Sequence, residues 1–441
     1  MSKLKILSRS QYFRNVAVLA SGTALAQVIS IVASLALTRI YNPDLYSILT
    51  IYMSVSGLLG AVTSLQFHNV IVISGDEAEV KQAVNSCIFS TLVITLLSLL
   101  IVLFFFNRFD NWFTNSSGKY WMLLTPVSVL FSGFNYTLSA LATRRSKYRL
   151  LSANRIMAAL LVPAVSITLG LLIRNETGLF AGLLVSQVLP TVILLYHFKK
   201  NNDFSVHFSV AAIKKFFSKH KDYPLFSLPA DFINNLVNLL PVFMLTRYYN
   251  GVATGLVGHY GRSAMLLGMP VSLVSNAVGE VFRQKASSEK KNTHVLRRTF
   301  MRTAGVLFLL SIVPFVVLAL FGPALFKFFL GAKWGEAGSM AAALSVMYAF
   351  RFTVSPLTYM YFIAKRQRED FVLHILMVVM GFLSFFLVNH YYPGDYLKAL
   401  WVYGIAYSII YLIYFIRSYQ FCSLVAEDKH PSVAATETPG Q

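Results

Sequence analysis

The sequence predicts an all-α integral membrane protein of about twelve transmembrane helices, arranged as two six-helix bundles. Apolar runs of roughly 20 residues recur along the chain, each long enough to cross a ~30 Å hydrocarbon core. Of the 441 residues, 56% are hydrophobic and only 13% are charged, and the mean hydropathy is +0.61. A soluble chain would carry about a quarter charged residues. The stretch LTRIYN, Leu37 to Asn42, recurs 208 residues later as LTRYYN, Leu245 to Asn250. Strand-type alternation is missing, which argues against an outer-membrane barrel.

The spans fall near 16–38, 46–73, 85–106, 119–143, 155–173, 178–198, 223–247, 252–282, 300–321, 337–362, 369–389 and 396–417. The first follows Lys3, Lys5, Arg9 and Arg14 and exceeds an ordinary signal-peptide core, so it reads as a retained span. These spans divide the chain into an N-terminal bundle (1–198), a basic cytoplasmic linker (199–222), a C-terminal bundle (223–417) and a polar tail (418–441) expected to be disordered. With the N-terminus inside, tails and loops on that side hold 28 Lys and Arg against 8 on the other. Cytoplasmic loops are the Lys/Arg-rich ones, so both termini are placed inside. The net charge of +20 resides in these loops and suits anionic lipid headgroups better than nucleic acid. Cys87 and Cys422 offer neither metal spacing nor a disulfide framework.

At the offset of 208, Tyr52 meets Tyr260, Leu58-Leu59-Gly60 meets Leu266-Leu267-Gly268, and Ser64-Leu65 meets Ser272-Leu273. TRRSK (143–147) also resembles AKRQR (364–368), at an offset of 221. Six spans per half is an even number, so both halves enter the membrane the same way. Such parallel repeats place a substrate path between them. The competing reading is chance similarity among apolar helices.

Polar side chains favour the repeat. On span 1, Thr23, Gln27, Ser30, Ser34 and Thr38 share a face; on span 7, Asp231, Asn234, Asn235 and Asn238 do the same. The offset maps Thr23 to Asp231, Gln27 to Asn235 and Ser30 to Asn238. Unsatisfied amides and carboxylates are costly in hydrocarbon, so these stripes face protein or water. Either they hold helices together or they line a hydrated cavity. A carboxylate with three amides, mirrored in milder form on its mate, favours the cavity. Arg262 and Arg351 lie within spans and suit an anionic group, because guanidinium binds phosphate in a two-pronged grip. For Arg262 the alternative is a salt bridge with Asp231. His259 shares a face with Arg262, and Arg39 and Arg247 at the span ends are either site residues or snorkelling anchors. Span 8 carries Gly255, Gly258, Gly261 and Gly268, which suits a bending helix.

Three stretches resemble a known family: NVAVLASGTALAQVISIVASLALTRIYNPDLYSILTIYMSVSG (15–57), the acidic SGDEAE (74–79) and the basic ATRRSKYRLLSANRIMAALL (142–161). They resemble Wzx-type oligosaccharide flippases of the multidrug/oligosaccharidyl-lipid/polysaccharide exporter superfamily. The resemblance implies a V-shaped pair of bundles with a central cavity, alternating access, and an oligosaccharide on undecaprenyl pyrophosphate moved from the cytoplasmic to the periplasmic leaflet. It also implies the bacterial inner membrane, polysaccharide biosynthesis for O-antigen, capsule or exopolysaccharide, and the polysaccharide polymerase and chain-length regulator as candidate partners. Relatives that flip lipid II face arginines toward pyrophosphate from helices 1, 2, 7 and 8. Here helix 1 has no arginine before Arg39, so that part of the pattern is either missing or shifted to Arg262.

No cofactor, metal-ligand cluster or nucleic-acid motif is read, and coupling to a proton or sodium gradient would use Asp231. A membrane glycosyltransferase or polymerase is disfavoured by the short outer loops, and an ATP-driven pump by the lack of GxxxxGK[ST]. The nearer alternative is an ion-coupled multidrug exporter of the same superfamily, whose signature would be more intramembrane carboxylates.

Overall fold

The computed structural model describes residues 2–113, 118–201, 204, 208–249, 252, 255–289 and 292–427, which form helices and turns without a strand. The N-terminal half contains α1 (Ser2–Ile40), α2 (Pro43–Ala61), α3 (His68–Ile73), α4 (Glu77–Phe104), α5 (Gly118–Trp121), α6 (Thr125–Arg144), α7 (Tyr148–Ile173) and α8 (Thr177–Lys200). A short linker helix, α9 (Val210–Lys219), leads to α10 (Leu228–Tyr248), α11 (Leu256–Glu289), α12 (Thr293–Leu330), α13 (Gly335–Val354), α14 (Tyr359–Ile363), α15 (Gln367–Tyr391) and α16 (Tyr396–Glu427). Among the described residues, eleven helical stretches are long and apolar enough to cross a membrane. The remaining expected span, 119–143, is the α5–α6 pair. Its hydropathy is diluted by Thr125, Ser128, Ser132, Asn135, Thr137 and Ser139, yet α6 packs among its neighbours α2, α4 and α8.

Both halves use the same helix pairings. α1 packs on α7 as α10 packs on α15, and α2 on α6 as α11 on α13. Likewise α4–α6 matches α12–α13, and α7–α8 matches α15–α16. The repeated motif ends equivalent helices: Leu37, Leu245, Tyr41 and Tyr249 are buried, while Arg39 and Arg247 are exposed. Thr38 and Thr246 each return a hydroxyl hydrogen bond to the carbonyl four residues back, the local partner a buried threonine finds within a helix.

The second sequence match shifts register. The turns after α6 and α14 pair Ser146 (φ +53°) with Lys365 (φ +56°). Each is closed by the next residue donating five positions back, Lys147 to Ala142 and Arg366 to Tyr361. That pairing is 219 residues apart, where the basic side chains had aligned at 221. Surface charge can slide along a turn, whereas the left-handed position cannot.

Span 2, expected as one helix over 46–73, breaks after Ala61. Residues 62–67 turn, with Leu65 at φ +47° and Gln66 at φ +65°, before α3 resumes. Left-handed non-glycine residues cost about 1–3 kcal/mol each. Irregular backbone at membrane depth is tolerated where protein or a water-filled cavity surrounds it. Here the N–H groups of Thr63, Leu65 and Phe67 bond back to Gly60, Val62 and Ser64. The tail also starts later than expected: α16 continues to Glu427, and 428–441 lie outside the described residues.

The loops richest in Lys and Arg mark one end of the bundle, here termed the basic end; Arg39 and Arg247 mark the far end. At the basic end α9 rests Ile213 and Phe216 against the N-terminal half. Glu79 pairs there with Lys219 at 2.6 Å and His220 at 3.0 Å.

Candidate functional site

A cavity of about 900 Å³ lies between the halves, in the half of the bundle nearer the basic end. Helical spacing on α10 turns Asp231, Asn234 and Asn238 into it. Asn235 lies beside them and donates to the Asp231 carbonyl at 2.8 Å. Asn238 accepts a hydrogen bond from the Arg351 guanidinium at 2.9 Å. Among the described residues no carboxylate lies within ion-pair distance of Arg351, whose guanidinium lies 5.8 Å from the Tyr348 ring centroid. A half-buried guanidinium with only neutral partners keeps donors and charge for an incoming anion.

The break in span 2 brings the facing wall within reach. Gln66 donates to the Asp231 carboxylate at 2.6 Å and accepts from Asn69 at 2.9 Å. His68 lines the same wall and stacks on Tyr136, with centroids 5.5 Å apart. Across the cavity the Tyr414 hydroxyl donates to Asp370 at 3.0 Å, and His374 lies 3.6 Å from the same carboxylate. Sequence reasoning did not select Gln66, Asp370, His374, Tyr411 or Tyr414 as site residues. Gln66 reaches the cavity because of an unforeseen helix break, and Asp370 sits so near the start of α15 that its position reads as interfacial. The signal available was Asp370 and His374 at i, i+4, one face of one helix.

Arg262 does not line this cavity. It is 6% exposed, with its guanidinium 3.8 Å from the Tyr46 ring centroid and one N–H donated to Ser34 at 3.2 Å. The alternative, a pair with Asp231, is not formed either, and that carboxylate is held by Gln66. Arg262 belongs to a seam that shuts the far end. There Trp334 donates to the Thr38 carbonyl at 2.8 Å, Lys333 to Asn42 at 2.7 Å, and the Gly258 N–H to Ser47 at 2.7 Å. His259 is buried in the same seam, edge-on to Trp334 at 5.5 Å, with Nδ1 unpartnered among the described residues. Glycines expected to bend span 8 serve the seam instead: a Cβ at Gly258 would collide with the Pro43 carbonyl, and one at Gly261 with Thr50. α11 runs unbroken from Leu256 to Glu289.

The span 1 candidates also lie outside the cavity lining. Gln27 donates across the halves to Ser272 at 3.2 Å, and Ser30 returns its hydroxyl to the Ala26 carbonyl at 2.9 Å. Arg39 and Arg247 stand exposed at the far end, Arg247 lying 5.9 Å from the Tyr248 ring centroid. The site is thus a polar cavity between the halves, carrying Asp231, Asp370 and Arg351 on its walls, with a closed seam at the far end. No group of three metal-ligating side chains occurs among the described residues.

Among solved structures, the lipid II flippase MurJ in an inward closed conformation is similar at TM-score 0.72, with 14% identity over 93% of this chain and 90% of that one. An inward-facing multidrug resistance MATE family transporter of the MOP superfamily gives 0.68, with 16% identity over 92% and 96%. An outward-facing MATE family transporter gives 0.60, with 14% identity over 94% and 96%. No curated protein matches in sequence. The family described as polysaccharide biosynthesis protein matches residues 36–339, from the first copy of the repeated motif to the start of α13. The chain therefore belongs to the polysaccharide biosynthesis protein family, in keeping with its resemblance to Wzx-type flippases, and carries the fold of the MurJ and MATE transporters.

Proposed function

We propose that this protein flips an undecaprenyl-pyrophosphate-linked oligosaccharide from the cytoplasmic to the periplasmic leaflet of the bacterial inner membrane. It would supply a surface polysaccharide such as O-antigen, capsule or exopolysaccharide. The observation that carries the reading is the cavity between the halves, with Arg351 free of carboxylate partners and amides on its walls. The basic end is taken as cytoplasmic from the Lys/Arg distribution.

The polyprenyl tail stays in lipid while pyrophosphate and sugars enter the cleft, where protein dipoles replace the lost water. Arg351 meets the pyrophosphate, and Asn234 and Asn238 hydrogen-bond around it. Rocking of the halves then parts the Arg262–Tyr46–Trp334 seam and closes the basic end. Asp231, held by Gln66, is the candidate for coupling that motion to a proton or sodium gradient.

Deleting the gene should make lipid-linked oligosaccharide accumulate in the cytoplasmic leaflet while drug susceptibility stays unchanged. A second reading, an ion-coupled multidrug exporter, is favoured by Asp231 and Asp370 lining the cavity. It predicts the reverse result: heightened drug sensitivity with normal surface polysaccharide.

A further inference from the structure

A second, smaller cavity of about 230 Å³ lies within the N-terminal half, between α6 and α8. Its depth is the middle of the bundle, since Ser132 and Asn135 are central to α6 and Gln187 and Thr191 to α8. The main cavity carries Asp231, Arg351 and Asp370, whereas none of the residues lining the smaller one is charged. The two cavities adjoin at one aromatic contact. Tyr136, 43% exposed, forms part of the smaller cavity's wall and stacks on His68 of the larger cavity at an interplanar angle of 23°.

The polar groups here have hydrogen-bonding capacity to spare. Gln187 accepts from Ser128 at 2.7 Å, and Asn135 donates to Thr191 at 3.4 Å and accepts from Ser139 at 3.2 Å. Among the described residues, the Gln187 amide nitrogen and the Ser132 and Tyr136 hydroxyls have no protein partner. Hydroxyls both donate and accept, as does a side-chain amide. A sugar ring offers the complementary set, with hydroxyls around its edge and polarised C–H bonds that suit the negative face of an aromatic ring. A drug cation would find no carboxylate, and a phosphate no positive charge.

We propose that this pocket is a sugar subsite, taking one neutral ring of the lipid-linked glycan while its pyrophosphate lies against Arg351. The inference rests on the flippase reading and deepens it. The volume is below the ~300–1,000 Å³ of sites for drug-sized ligands, which fits a single ring. Ser132, Asn135, Gln187 and the Tyr136 ring are the specificity-determining groups. They discriminate between glycans, whereas Arg351 binds every glycan's common anchor.

The test uses the full-length protein in nanodiscs and two probes: undecaprenyl pyrophosphate, and the same lipid carrying one N-acetylhexosamine. The unmodified protein should bind the sugar-bearing probe about tenfold more tightly, as expected when unpartnered polar groups of a pocket gain partners. Asn135→Leu and Tyr136→Leu should each remove most of that difference while leaving affinity for the bare lipid unchanged. Ser132→Ala and Tyr136→Phe, which open no packing defect, should each reduce it by about threefold. Arg351→Gln should weaken both probes alike. Equal affinity for the two probes in the unmodified protein, or an undiminished sugar increment in all four pocket variants, overturns the subsite while leaving the flippase reading standing. Binding of neither probe by the folded protein would sink the flippase reading and the subsite with it.

Discussion

Arg351 and Arg262 are both intramembrane arginines, yet their surroundings assign them different work. Arg351 faces the cavity with Asn238 as a neutral partner, so on the proposed reading its removal would cost the pyrophosphate a charge-assisted hydrogen bond, about 1.5–3 kcal/mol. Arg351→Ala should therefore weaken binding of undecaprenyl pyrophosphate by roughly ten- to hundredfold. Lysine should restore part of the loss, because it keeps the charge but not the fork; binding titration with purified protein checks both. Arg262 sits over Tyr46 and touches Ser34, so Arg262→Leu should leave that affinity unchanged and loosen the far-end seam. Asp231→Asn should retain substrate binding but lose any response of flipping to an imposed proton or sodium gradient in vesicles. An unaltered gradient response would remove Asp231 from coupling.

At the scale of elements, the contact of α11 with α2 holds the far end shut, and glycine makes it possible. With the Gly258 backbone against Pro43, any side chain must push the helices apart. Gly258→Ala should shift the protein toward a far-end-open form. A cysteine introduced at Ser47 would then label faster with a membrane-impermeant maleimide added from outside, and equal labelling in both proteins would refute the wedge. The break between α2 and α3 has the complementary role at the other end. It places Gln66 beside Asp231, joining the halves on the cavity wall. Gln66→Leu should free that carboxylate and speed labelling of a cysteine placed at Asn234, read from the basic end.

For the molecule as a whole, the unequal charge of its two ends is the testable property. Reporter fusions within 199–221 and 283–302 should report the cytoplasm, and one near Asn111–Lys119 the periplasm. A periplasmic signal from 199–221 would invert the proposed direction of transport. On the proposed flippase reading, the seam and the basic-end cavity are one endpoint of a two-state motion. Substrate can shift that equilibrium only by as much as it binds one state better than the other.

The spans and the repeat were legible in the sequence because they rest on composition and spacing. Twenty apolar residues suffice to predict a span, and LTRIYN and LTRYYN ended equivalent helices because burial of Leu and Tyr beside exposed Arg is a local pattern. The polar stripe on span 7 was legible for the same reason, since Asp231, Asn234 and Asn238 are placed by helical periodicity alone. Which arginine faces the cavity was not legible, because the depth of Arg262 and Arg351 in their spans says nothing about what packs against them. Only the tertiary structure set Tyr46 over Arg262 and Asn238 beside Arg351. The break after Ala61 carries no proline, and its cost is met by contacts with other helices. Gln66, Asp370 and the pocket between α6 and α8 are likewise products of packing: polar side chains scattered over distant segments come together only when the helices place them side by side.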